Sequence, residues 1–208
     1  MATTITAGNA TNGAAVSSDN TGILELKTGT GAGTTAISIA TNQIVTGTAG
    51  NLMLVSGTAI TLTNQTAPAF TDIPSWVKRA TLVFNGVRIS SAATPLVQLG
   101  TGSTPTYTTS GYVGGSQNYT TSGTSAATAA NTGFPLQSTS ATNLIYGNLV
   151  LTNISGNNWV ISGTYYANSV SMGLTNGSIA LSGVLTAVRL FVDGTQTFNL
   201  GTVNFFYE

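Results

Sequence analysis

The chain has 208 residues, with five Lys or Arg, five Asp or Glu, and no His or Cys. Charged residues make up 5% of it, against about 25% in an ordinary globular domain. This composition excludes disulfides, thiolate and imidazole catalysis and the usual zinc and copper sites. It also leaves too few cations for the basic stripe that nucleic acid requires.

Taken from the start, residues 1–20 have neither a basic region nor an apolar run, so no secretory signal is expected. Up to about Thr71 the chain is rich in Thr, Gly and Ala, with sparse aliphatic residues. Ile23 to Lys27 alternates, as does Ala36 to Ile39, and a Gly/Thr segment joins them. Gly29, Gly31 and Gly33 look like a phosphate cradle. However, no Lys occurs after the last of them until Lys78, and Ala36 to Ile39 has the periodicity of a strand rather than of a helix. The reading is therefore a β-hairpin. A weak repeat relates Gly33–Gln43 to Gly57–Gln65. Strands this thin do not build a core alone and gain stability by lying on another chain. The expected partner-facing residues are Ile23, Leu24, Leu26, Ile37, Ile39, Ile60 and Leu62.

From about Thr71 to Glu208 the pattern is denser. "SWVKRATLVFNGVRIS" reads as a long strand with a kink near Asn85-Gly86, followed by the strand "PLVQLGTG". "STPTYTTSGYVGGSQNYTTSG" reads as a long polar loop carrying Tyr107, Tyr112 and Tyr119. These tyrosines either pin loops to the sandwich or, with Gln117 and Asn118 beside them, offer a surface for a glycan. "TSAATAANTG" reads as loop with one helical turn at most. "NLIYGNLVLTNISGNNWVISGTYYAN" reads as two strands around Ser155 to Asn158, with Trp159 in the core. "SIALSG", "VLTAVRLFVDG" and "TFNLGTVNFFYE" add three more strands, with a turn at Asp193-Gly194. No apolar run approaches the ~18 residues of a membrane span, and no membrane partner is expected.

The fold class is therefore all-β: an extended N-terminal β-arm (1–70) followed by an antiparallel, jelly-roll-like β-sandwich (71–208). For chemistry, the five acids are Asp19, Glu25, Asp72, Asp193 and Glu208. No two fall in one expected strand pair, so glycoside hydrolysis has no visible acid pair. No enzyme activity, cofactor or metal is expected. Trp76, Lys78, Arg79 and Arg88 form a cationic cluster, read as a sheet edge where charge discourages wrong pairing. Near-zero net charge favours self-association.

"ITAGNATNGAAVSSDNTGILELKTGTGAGTTAISIATNQ" resembles the N-terminal module of structural proteins from tailed bacteriophages, notably those of aquatic hosts. "IPSWVKRATLVFNGVRIS" and "SGVLTAVRLFVDGTQTFNLGTVNFFYE" resemble the C-terminal β-domain of similar virion proteins. The resemblance implies a virion component: a capsid decoration (cement) protein that binds the major capsid protein, or a short fibre that touches host polysaccharide. It also implies a homotrimer with a jelly-roll-like domain, located on the capsid surface sooner than the tail, and it brings no catalytic residues.

Overall fold

The computed structural model describes residues 6–7, 14–18, 24–28, 34–39, 45–47, 50–51, 54–120, 123, 125–137, 140–167 and 171–208. The described structure is all-β and divides into two compact units, residues 1–55 and residues 56–207, with Glu208 grouped with the first.

The N-terminal unit holds β1 (Thr6–Ala7), β2 (Ala14–Ser18), β3 (Leu24–Thr28), β4 (Thr34–Ile39), β5 (Val45–Gly47) and β6 (Gly50–Asn51). They pair antiparallel in chain order, each with the next. The hairpin read from the Gly-rich segment is β3–β4, with Leu24 opposite Ile39 and Leu26 opposite Ile37.

The second unit is a sandwich of two antiparallel sheets. Its strands are β7 (Val55–Ser56), which straddles the division between the units, β8 (Ile60–Thr61), β9 (Ala69–Phe70), β10 (Arg79–Ile89), β11 (Leu96–Thr101), β12 (Thr106–Tyr107), β13 (Val113–Thr120), β14 (Ser125–Ala129), β15 (Phe134–Pro135), β16 (Ile145–Ser155), β17 (Asn158–Ala167), β18 (Ser171–Ala180), β19 (Leu185–Phe191) and β20 (Phe198–Tyr207). The larger sheet runs β14-β13-β18-β17-β16-β10-β20-β7, with β8 also on β20. The smaller runs β12-β11-β19-β9, with β15 on β11.

The pairing is nested: β10 with β20, β11 with β19, β13 with β18, β16 with β17. A long hairpin rolled on itself gives such nesting, so the sandwich is jelly-roll-like in that respect. It departs from a simple roll because β10–β16 and β17–β18 also pair, merging six long strands into one sheet. Alternation then fixes the core. Leu82, Phe84, Leu149, Leu151 and Ile161 of the larger sheet meet Val97, Leu99, Val188 and Leu190 of the smaller, all 2% exposed or less.

Several turns form for reasons visible in the residues. The Ser155–Asn158 turn closes β16–β17. There the Asn153 side-chain amide donates to the Gly156 and Asn158 carbonyls at 2.9 and 3.1 Å, and Asn158 donates to Ser155 O at 3.2 Å. At Asp193-Gly194 the Gly194 N–H donates to Asp193 Oδ1 at 2.8 Å, and Gly194 has φ +74°. The kink in β10 is a bulge at Gly86 (φ +65°), where the register slips against both neighbours. Gly201 (φ +93°) faces it, and a Cβ there would strike the Gly86 carbonyl. The two glycines let the bent strands touch.

The structure differs from the sequence reading in four places. The polar stretch read as a loop contains β12 and the eight-residue β13. The Ala-rich segment read as a loop or helical turn contains β14, paired with β13. Neither β13 nor β14 carries large aliphatic residues on alternating positions, so their ladder bonds, rather than a hydrophobic face, hold them. Residues 56–70, placed in the arm, pair with the sandwich: β8 on β20 and β9 on β19. Finally, the two copies of the weak repeat fall in different units, one around β4 and one around β8.

Candidate functional site

The larger sheet has one face on the core and one facing solvent. On the solvent face, register aligns Tyr119 of β13 with Met172 of β18, Met172 with Tyr166 of β17, and Tyr166 with Tyr146 of β16. These four side chains form one row across four adjacent strands, exposed by 51%, 59%, 43% and 40% respectively. Tyr119 Oη donates to Gln117 Oε1 at 2.8 Å. The Tyr146 ring lies over the Gly86 bulge, where a Cβ would be 3.5 Å from its hydroxyl. Beside the row is a shallow open trough of about 570 Å³. Gly115, Gln117, Ala127, Ala129, Leu174 and Asn176 line it. The next register line carries Gln117, Leu174, Thr164 and Asn148.

Of the three tyrosines read as either pinning loops or offering a surface for a glycan, only Tyr119 lies on this face. Tyr112 is buried, which corrects its placement in a surface loop. Its hydroxyl accepts from the Leu99 N–H at 2.9 Å and donates to the Thr108 carbonyl at 3.1 Å, and its ring meets Phe134 edge-on at 4.8 Å. The aromatic ring carries it into the core because both bonds of the hydroxyl are met there. Burial pushes the Tyr112 phenol up to about 12, with the Leu99 bond and the Arg189 charge opposing.

Tyr107, half-buried on β12, stacks under the Arg189 guanidinium at 4.1 Å, and Phe191 holds the same cation at 4.7 Å. Arg189 Nε donates to Gln98 Oε1 at 2.8 Å, and the buried Gln98 donates to the Thr132 carbonyl at 2.7 Å. Partial burial pulls the guanidinium down, opposed by the Tyr107 and Tyr112 phenols. Sequence reasoning gave Arg189 no role.

The remaining expected site residues separate. Leu24 and Leu26 lie on β3, and Ile37 and Ile39 on β4, with Ile37 half-buried. Ile23 lies outside the described residues. Ile60 and Leu62, expected to face a partner, instead join the sandwich core: Leu62 is buried in it and Ile60 packs against it. The Trp76 ring lies 5.7 Å from Tyr207, Lys78 Nζ reaches Asn153 Oδ1 at 3.5 Å, and Arg88 Nε donates to Asn199 Oδ1 at 3.2 Å. The cationic cluster thus resolves into separate local contacts. Asn118, expected beside the tyrosines on the surface, turns its Oδ1 inward. Trp159 is in the core. Among the described residues, no group of three or more Asp or Glu side chains is close enough to hold a metal ion.

Tyr112 also gives the fold an alkaline titration. Its folded pKa lies above the ordinary value of 10, so the protonated form is favoured by folding. That stabilisation is fully present below pH 10. It is lost as pH rises toward 12, because the unfolded chain ionises first. Unfolding followed by tryptophan fluorescence should show stability falling by roughly 1.4 kcal/mol per pH unit in this window. Tyr112→Phe should be less stable at pH 8 but lose less between pH 10 and 12. An unchanged alkaline slope in that variant would show that Tyr112 is not the source.

No protein-family model, curated protein or solved structure matches the chain.

Proposed function

We propose that the chain is a structural component of a tailed-phage virion, most simply a capsid decoration protein. In this reading the N-terminal unit lies on the major capsid protein or on sister chains, and the C-terminal sandwich projects as the knob of a homotrimer. The observation that carries the reading is the division of labour along the chain. A thin six-stranded meander is followed by a sandwich with its own core. The meander's short strands suit backbone pairing with a neighbour, which needs no charge. The sequence resemblance at both ends and the nearly uncharged composition point the same way.

The test is copy number in purified virions, together with a chain lacking residues 1–55. Decoration predicts hundreds of copies, as a capsid lattice offers hundreds of sites, and loss of attachment on deletion. A few to about eighteen copies would support a short fibre instead. Undiminished attachment of the truncated chain would remove the arm from the account.

A further inference from the structure

We propose that the row Tyr119–Met172–Tyr166–Tyr146 and the trough beside it bind a neutral polysaccharide. The inference stands apart from the virion role and rests on the solvent face of the larger sheet alone. Neighbouring strands are about 4.8 Å apart, so the row spans about 14 Å, a length suited to a short run of sugar rings. The negative face of each tyrosine attracts the polarised C–H groups of a pyranose ring, and the phenol hydroxyls remain at the wet edge. Met172, flexible and polarisable, fills the gap between two rings.

The trough provides the second half of a binding site. Its volume of about 570 Å³ falls in the range of about 300–1,000 Å³ usual for small ligands. Its floor is small because Gly115, Ala127 and Ala129 stand there, and its rim carries the Gln117 and Asn176 amides. Asn176, Asn148 and Thr164 have no side-chain hydrogen-bond partner among the described residues. They are therefore free to meet sugar hydroxyls.

Other occupants fit less well. Neither the row nor the trough lining includes Asp, Glu, Lys or Arg, so an acidic polymer or a nucleic acid finds no counter-charge. A second copy of the chain would bury Asn148, Thr164 and Asn176, whose side chains have no partner among the described residues to satisfy them. Unmatched amides there would oppose a dry protein interface.

The experiment is calorimetric titration of the full chain with maltohexaose, cellohexaose and linear mannan and galactan fragments, with polygalacturonate as the acidic comparison. At least one neutral oligosaccharide should bind, and polygalacturonate should not. Tyr166→Ala and Tyr119→Ala should each weaken binding about tenfold. Ala127→Arg, which fills the trough, should abolish it, and Val184→Ala, at an exposed position outside the site, should leave it unchanged. The tyrosines are at the surface, so the variants should fold; tryptophan fluorescence checks this, and sedimentation of the same samples reports the oligomer. Three results would overturn the proposal. One is no binding to any neutral oligosaccharide in the panel. Another is binding that the two tyrosine variants leave intact. The third is a change of oligomeric state in Tyr166→Ala, which would make this face a contact between protomers.

Discussion

Gly173→Ala should destabilise the sandwich by about 2–6 kcal/mol, from overpacking of about 1–3 kcal/mol together with about 1–3 kcal/mol for a buried N–H left unpaired. Gly173 sits opposite Tyr165 across the β17–β18 pair, on the core face. A Cβ there would lie 2.8 Å from Tyr165 Oη and closer still to the ring carbons. A clash with a side chain is cheap when the side chain can swing away, but this one cannot. Tyr165 is 2% exposed, and its hydroxyl accepts the Gln137 N–H. Moving the ring would break that bond and leave a buried N–H unpaired, at about 1–3 kcal/mol. Gln137 is also tied, through its side-chain amide, to Thr128 Oγ1 at 2.7 Å. The ring therefore anchors the segment after β15 to β14.

Both tryptophans, Trp76 and Trp159, lie in the second unit, so tryptophan fluorescence follows the sandwich alone during denaturant unfolding. The cause can be isolated with Tyr165→Leu. If the clash is the origin, the double variant should be more stable than the sum of the two single losses by at least about 1 kcal/mol. A Gly173→Ala loss under about 0.5 kcal/mol would show that Tyr165 moves freely.

The parts of this fold that were legible in the sequence are those where apolar residues alternate over many positions. Strands β10, β16, β17, β19 and β20 alternate large buried residues with more exposed ones over much of their length, among them Leu82 and Phe84 on β10, Leu149 and Leu151 on β16, and Trp159, Ile161 and Tyr165 on β17. The strands that were not legible, β13 and β14, lack that signal because their residues are mostly small or polar. Ser116 of β13 is buried opposite Thr175 of β18, whose Oγ1 donates to the Pro135 carbonyl at 2.7 Å. Ser116 Oγ and Asn118 Oδ1 have no partner among the described residues. Small residues in such strands look like loop in the chain and like sheet only when β18 lies alongside.

The tyrosine row was hidden for a different reason. Its members come from four strands, and only register places them together. One of the pairs was within reach of the sequence. Counting outward in equal steps from the Asn153–Trp159 pair beside the turn arrives at Tyr146 and Tyr166 together. A one-residue slip would exchange Tyr166 for Tyr165 and turn the buried ring to solvent. The Arg189 clamp needed the sheet as well, since Tyr107 and Gln98 reach it from other strands.

Phe134→Ala should cost the sandwich about 3–5 kcal/mol, and it should also change how the protein titrates. Phe134 is fully buried, and its short strand belongs to the smaller sheet, opposite Val97. Its ring reaches the larger sheet at Gly177, where a Cβ would come within 2.8 Å of it. It also meets the Tyr112 ring at right angles. Truncation thus opens a cavity between the sheets beside the Tyr112 phenol, which burial raises to about 12.

If the cavity admits water, desolvation of Tyr112 weakens and its ionisation returns toward the ordinary value. The alkaline loss of stability between pH 10 and 12 should then be smaller in Phe134→Ala than in the parent, as in Tyr112→Phe. Phe134→Leu keeps an apolar plug and should cost only about 1–1.5 kcal/mol and leave the alkaline slope intact. Comparing the two variants at pH 8 and pH 11 by tryptophan fluorescence separates lost packing from lost shielding. A Phe134→Ala variant with the full stability loss but the parent's alkaline slope would mean the site collapses dry. A loss under about 1 kcal/mol would mean that Phe134 is not what joins the two sheets.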